Sequence, residues 1–312
     1  MSMKLFNKSA GLLACGSLVF ASGLLHAQVQ ETQTERDPAP SGRGIGTRHQ
    51  YGPQSDRLGP APIKKGNGIS YHGGPLILGG TNVYYIWYGN WVGNSAQTIL
   101  VDLANNIGGS PYFNINTTYY DGSDNHVANA VNFVGSTPST PDSNNYSHGT
   151  SLSDADVQAI VAAQNPTDTN GVYFVLTSAD VNETSGFCKH YCGWHDHANI
   201  NGLDIKYAFV GNPDRCPKNC EAQTTSPNGN AGADGMASII AHELEEATTD
   251  PDLNAWYDQR GQENADKCAW TFGTTSQALN GSQYNVVLGT RQYLIQQNWV
   301  NASGGYCALS YY

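Results

Sequence analysis

The chain has 312 residues, enough to bury a sizeable core, of which 39% are hydrophobic and only 13% charged. Fifteen Lys and Arg against 26 Asp and Glu leave a net charge of −11, which offers no electrostatic footprint for nucleic acid or for an anionic membrane surface. Beyond the N-terminus no apolar run reaches the length of a membrane-spanning helix, so an integral membrane protein is not expected.

Residues 1–27 read as an export leader: Lys4 and Lys8 precede an apolar stretch from Gly11 to Leu25, and Leu25-His26-Ala27 supplies a small-residue cleavage site. Leu12-Leu13-Ala14-Cys15 has the form of a lipidation signal, but the apolar stretch before Cys15 is short and continues past it. Export predicts a secreted, extracellular protein, or a periplasmic one in a Gram-negative host. Residues 28–69 are rich in Pro, Gly, Arg, Gln and Ser without apolar periodicity, and a disordered N-terminal segment is expected there.

One domain is expected over 70–312. Thr81 to Tyr88 is β-branched and aromatic, as a buried strand requires. Ser95 then caps a helical pattern with Ile99, Leu100, Leu103 and Ile107 on one face. Tyr112 to Phe133 reads as a hairpin around Asp121-Gly122. Ser153 caps a second helix whose first turn holds Asp154 and Asp156 and whose buried stripe is Val157, Ile160 and Val161. Val172 to Leu176 and Ile205 to Val210 are continuous apolar strands flanking a Cys/His-rich insert at 186–200. The fold class is α+β with a mixed sheet.

Discounting Cys15 leaves six cysteines, Cys188, Cys192, Cys216, Cys220, Cys268 and Cys307, an even number in an exported chain. Three disulfides are expected, with connectivity open among 15 pairings. The two CxxxC pairs could instead hold metal together, but zinc sites use tighter spacing or His partners.

A third helix is expected from Met236, after a break at Asp234-Gly235, to Asp250, where Pro251 stops it. His242 and Glu246 lie one turn apart on one flank, with Glu243 and Asp250 adjoining, and Met236, Ile240, Leu244 and Ala247 on the opposite face. In HExxH zinc enzymes two His at this spacing bind the metal and the Glu between them is the general base. Here the motif is HExxE. Downstream, Glu263 and Asp266 follow in an order that resembles thermolysin-like enzymes, although Asp266 stands three residues after Glu263 and not four. That resemblance implies one divalent metal, in the first instance zinc, held by His242, Glu246 and Glu263, with Asp250 and Asp266 orienting the ligands and Glu243 as base. His195 and His197 share one face of an extended segment and are candidate additional ligands. A second carboxylate in place of imidazole would make the metal a weaker Lewis acid.

An ordered set of motifs carries a wider resemblance: His72-Gly73-Gly74-Pro75, Ile86-Trp87-Tyr88-Gly89-Asn90-Trp91, Cys192-Gly193-Trp194-His195, Phe209-Val210-Gly211-Asn212, Pro227-Asn228-Gly229, Asp234-Gly235-Met236, Asn254-Ala255-Trp256-Tyr257 and Glu263-Asn264-Ala265-Asp266. From residue 70 to residue 308 the chain resembles the EXORDIUM-like, or phosphate-induced-protein, family. The resemblance implies an extracellular protein linked to cell expansion and brings no reaction with it. Two readings follow. In one, a single zincin-like, disulfide-stapled domain is a secreted metal-dependent hydrolase acting on peptides. In the other, a non-catalytic extracellular protein acts through cell-wall, matrix or saccharide contacts, using a Tyr/Trp-rich surface.

Overall fold

A computed structural model describes residues 40–42, 68–137 and 146–312. The leader read at 1–27, and all but 40–42 and 68–69 of the segment read at 28–69, lie outside these residues. In chain order the elements are β1 (Ser70–Tyr71), β2 (Thr81–Tyr88), α1 (Ala96–Ile107), β3 (Val131–Thr137), β4 (Ser151–Leu152), α2 (Asp154–Ala162), β5 (Gly171–Thr177), β6 (Asn182–Glu183), β7 (Gly193–Ile200), β8 (Leu203–Gly211), α3 (Pro217–Cys220), α4 (Ala231–Thr249) and β9 (Trp256–Tyr257). Three C-terminal hairpins follow, Ser276–Gln277 with Gln283–Tyr284, Val286–Leu288 with Arg291–Tyr293, and Asn298–Val300 with Tyr306–Ala308.

A five-stranded mixed sheet forms the centre, in the order β3-β2-β5-β8-β7. The pairs β3–β2, β2–β5 and β5–β8 are parallel, and β7 closes one edge antiparallel to β8. Every residue of β5 is buried, which explains its unbroken apolar sequence: a parallel strand covered on both faces has no solvent side to alternate toward. Parallel neighbours need crossovers, and α1 and α2 serve in them. Ser153 accepts from the Asp156 N–H while the Asp156 carboxylate accepts from the Ser153 N–H, a reciprocal capping box that fixes the start of α2.

Two expectations are corrected. Tyr112 to Phe133 is no hairpin. Phe113–Thr118 winds into a 3₁₀ turn that buries Phe113 with Asn116 and Ile115 with Thr118, pairs three residues apart as a 3₁₀ helix requires, and Phe133 sits in parallel strand β3. Only the tip behaves as a turn, where Asp121 accepts from the Ser123 and Asn125 N–H groups below an isolated Tyr120–His126 bridge. Helix α4 begins at Ala231, not Met236, because Asn230 caps it by accepting from the Ala233 N–H. Gly235 does not break it. It lets the helix lie against Pro213, whose Cγ would be 2.9 Å from a Cβ there.

The cysteines form Cys188–Cys216, Cys192–Cys220 and Cys268–Cys307. The first two tie the loop before β7 to α3, and the third ties the segment after Glu263 to the last hairpin. Beside α3, burial and the neighbouring Asp214 push the Glu221 carboxyl up to about 7. A carboxyl raised on folding contributes stability below its unfolded value, near 4.5, and loses it as pH rises through the folded value. The stability gain of Glu221→Gln over wild type is therefore expected to grow from near zero at low pH to about 1–2 kcal/mol at pH 8, read by urea titration across pH. A pH-independent difference would refute the assignment.

The sheet packs tightly on α4 at Gly193, the first residue of β7. A Cβ there would stand 2.5 Å from Ile239 Cγ2 and 3.1 Å from Glu243 Oε1. Gly193→Ala should cost about 1–3 kcal/mol through overpacking, visible as a lower thermal midpoint. An unchanged midpoint would mean that strand and helix stand further apart.

Candidate metal centre

Helix α4 runs under β5, β7 and β8, and its polar flank turns inward beneath the sheet edge. One helical turn sets His242 Nε2 3.0 Å from Glu246 Oε1. Strand β7 lays His195 over the same place, its Nε2 3.9 Å from Glu246 Oε2. Past Pro251 the chain returns, and Glu263 Oε1 comes within 3.1 Å of His195 Nε2. Three residues on, Asp266 Oδ1 lies 3.6 Å from His242 Nε2, and its N–H donates to Glu246 Oε1 at 3.0 Å.

The donors fall into two groups, His195, Glu246 and Glu263, and His242, Glu246 and Asp266, with the donor atoms of each within 4.8 Å of one another. His242 and Glu263 thus approach Glu246 from different sides, and Asp266 stands at the donor cluster itself beside His242. Asp250 is in neither donor group: its Oδ1 accepts from the Asn254 and Ala255 N–H groups and shapes the turn that sends the chain back. Glu243 is fully buried beneath Gly193, where its charge acts on both His242 and Glu263. His197 points to a separate, half-buried cluster with Asp204 at 2.9 Å and Asp252 at 3.7 Å, where Lys206, 2.7 Å from Asp204, supplies the counter-charge.

Four of the motifs quoted above, those of His72, His195, Asn254 and Glu263, meet here. The His72 N–H donates to Ala255 O at 2.7 Å and the Gly74 N–H to Asn254 O at 3.0 Å, and the His72 ring stacks on Tyr257 with centroids 3.6 Å apart. The Asn264 side chain donates to the Glu245 carbonyl. These contacts brace the end of α4 and the returning segment, so the motifs carry the frame of the cluster as well as its donors.

Burial dominates the electrostatics. His195, His242, Glu246 and Glu263 are at most 1% exposed. Burial, with Glu246, Asp250, Asp266 and Glu243 nearby, holds the Glu263 carboxyl well above its ordinary range, and burial with Glu246 raises Asp266 to about 7. Burial lowers His195 to about 4, which leaves a neutral imidazole. Burial also works against the charge on His242, but the attraction of Glu246 and of the nearby Asp266 carboxylate outweighs it and holds its pKa well above the usual value. Lys267 turns away from the cluster to Asp258, 3.2 Å off, and over the Trp299 ring.

Among the described residues, Glu246 Oε2, Asp266 Oδ1 and the Nδ1 atoms of both histidines have no hydrogen-bond partner. A buried unpaired carboxylate costs several kcal/mol, and a divalent cation among carboxylate and imidazole donors removes that cost. The residues present therefore fit a metal. Two surface recesses, one bounded by Asp234, Ser238, Trp270 and Phe272 and the other by Tyr84, Tyr85 and Tyr173, are lined by none of these donors.

The placement of His195 against Glu263 was not read from sequence, yet a signal existed. Asn201-Gly202, both at positive φ, is the two-residue turn that joins β7 to β8. Taken as a hairpin, it makes the Cys/His-rich insert an edge strand and sends His195 to the sheet face. Upstream, Pro40 and Gly42, within the segment expected to be disordered, are buried, and Gly42 O accepts from the His195 N–H at 3.0 Å.

Residues 69–308 match the conserved region of phosphate-induced protein 1. The chain is 33% identical to Protein EXORDIUM-like 3 of Arabidopsis thaliana over 271 residues, covering 74% of this chain and 80% of that one. It is 29% identical to Protein EXORDIUM-like 5 of the same plant, over 74% and 75% of the two chains. With Protein PHOSPHATE-INDUCED 1 of Nicotiana tabacum it shares 27% identity over 61% and 67%. No solved structure matches.

Proposed function

Because the chain belongs to the phosphate-induced protein 1, or EXORDIUM-like, family, a kinship that names no reaction, we propose its function from the site: an exported protein built around a divalent-metal centre and acting as a hydrolase on peptides. The observation that carries this is the cluster His195, His242, Glu246, Glu263 and Asp266, where three carboxylates and two imidazoles crowd together and no Lys or Arg is paired with those carboxylates among the described residues. The leader and three disulfides support export. Among the described residues no helix is long and apolar enough to cross a membrane.

Bound there, a divalent ion such as zinc would supply Lewis acidity to a substrate carbonyl. The chain's own residues do the rest. His195 and His242 offer imidazole nitrogens, and Glu246, Glu263 and Asp266 offer carboxylate oxygens. Glu243, adjacent to His242 and buried beside the donors, takes the proton of the attacking water.

A second reading has one observation in its favour: donors so buried admit no substrate as they stand, which suits a structural ion in a non-catalytic protein making wall, matrix or saccharide contacts. Its aromatic surface would need to come from tyrosine, since all six Trp (Trp87, Trp91, Trp194, Trp256, Trp270 and Trp299) are buried. Elemental analysis of protein purified without chelator, followed by a peptide-library assay, decides. Bound metal with turnover supports the hydrolase, bound metal without turnover supports the second reading, and no metal refutes both forms of the centre.

A further inference from the structure

Building on the metal-centre reading, we infer that the cluster is binuclear: two divalent ions, bridged by the Glu246 carboxylate, one held with His195 and Glu263 and the other with His242 and Asp266.

The first argument is geometric. Donors around one ion at ~2.1 Å bonds stand ~3.4 Å apart when tetrahedral and no more than ~4.2 Å apart when opposite one another. Each group of three meets this scale at its measured contacts, 3.1 and 3.9 Å for the first and 3.0 and 3.6 Å for the second. The five residues do not merge into one group whose donor atoms all lie within 4.8 Å. Glu246 belongs to both because its two oxygens face opposite ways, Oε1 toward His242 and Oε2 toward His195. A carboxylate used through both oxygens in this way spans ions ~3.5–4 Å apart, the separation of two-metal sites.

The second argument is charge. Glu246, Glu263 and Asp266, with Glu243 and Asp250 close by, bring up to five negative charges to the cluster when ionised, and neutral histidines add none. One divalent ion would leave three of them uncompensated, whereas two ions would leave one. The composition is symmetric as well: each ion receives one imidazole, one terminal carboxylate and one oxygen of the shared carboxylate. One nitrogen among oxygens suits ions of intermediate to hard character, Zn²⁺ or Mn²⁺.

The test uses the full secreted chain, stripped with chelator and titrated with Mn²⁺ or Zn²⁺ alone. Wild type is expected to take up two ions, and the Mn²⁺ form to give the electron-spin-resonance signal of an exchange-coupled pair. His195→Gln and, independently, Asp266→Asn should each fall to one ion without a coupled signal, and Glu246→Gln should weaken both ions by at least ~tenfold. One ion in wild type, with no coupled signal, overturns the binuclear centre and leaves the metal-centre reading standing. No ion at all overturns both. The wild-type spectrum stands by itself if any variant fails to fold.

Discussion

Chelator treatment should lower the thermal unfolding midpoint of the protein by about 10 °C, and returning Zn²⁺ should restore it. Without cations, Glu246, Glu263 and Asp266 must stay protonated or face one another charged in a site at the 0–1% level of exposure for the two glutamates. A ligand bound only to the folded state at a few hundred times its dissociation constant stabilises by about 3–4 kcal/mol. For a domain of this size each kcal/mol moves the midpoint by roughly 2–4 °C. Differential scanning calorimetry with and without chelator measures it. An identical midpoint in both would mean that the carboxyl groups are satisfied by protons and hydrogen bonds, and would count against a metal centre of any nuclearity.

The second large effect concerns Glu243. Glu243→Gln keeps the shape of the side chain beneath Gly193 and takes no donor from either group, so bound metal should be unchanged. Turnover of a cleavable peptide should fall by ~10²–10⁴, the usual contribution of a general base. Removing a buried carboxylate should leave stability equal or higher, so the loss could not be ascribed to unfolding. Should wild type and variant prove equally inert while both hold metal, the hydrolase reading gives way to the structural one.

The sheet and helices were legible where local chemistry and tertiary context agree. Val172 to Leu176 and Ile205 to Val210 could be read as buried strands because β-branched and aromatic residues dominate both, with Lys206 the one charged residue in either, and the strip Val157, Ile160 and Val161 declares its own periodicity. The donors on α4 were visible for the same reason, since helical spacing alone places His242 and Glu246 together. His195 was harder. Gly193–Ile200 holds Gly, two His, Asp and Asn, a poor strand by propensity, and becomes one through pairing with β8 across Asn201-Gly202. Which carboxylate would face which histidine depends on how the chain returns after Pro251, a path set by Asp250 and the β1–β9 contact and by no local pattern. Disulfide pairing lay beyond sequence for a like reason, because it records which loops meet.

Those disulfides also decide how the protein would carry tension. A pull on the two ends passes from Cys188 directly to Cys216 and from Cys268 directly to Cys307, bypassing spans of 28 and 39 residues, or roughly 100 and 135 Å of contour at ~3.5 Å per residue. Strands β7 and β8 sit inside the first bypass and bear no load. Helix α4, Glu263 and Asp266 lie on the stretch between the bypasses and bear all of it. His195 would therefore stay with the slack ring while its partners are drawn away, making the junction between β7 and α4 the mechanical fuse of the molecule.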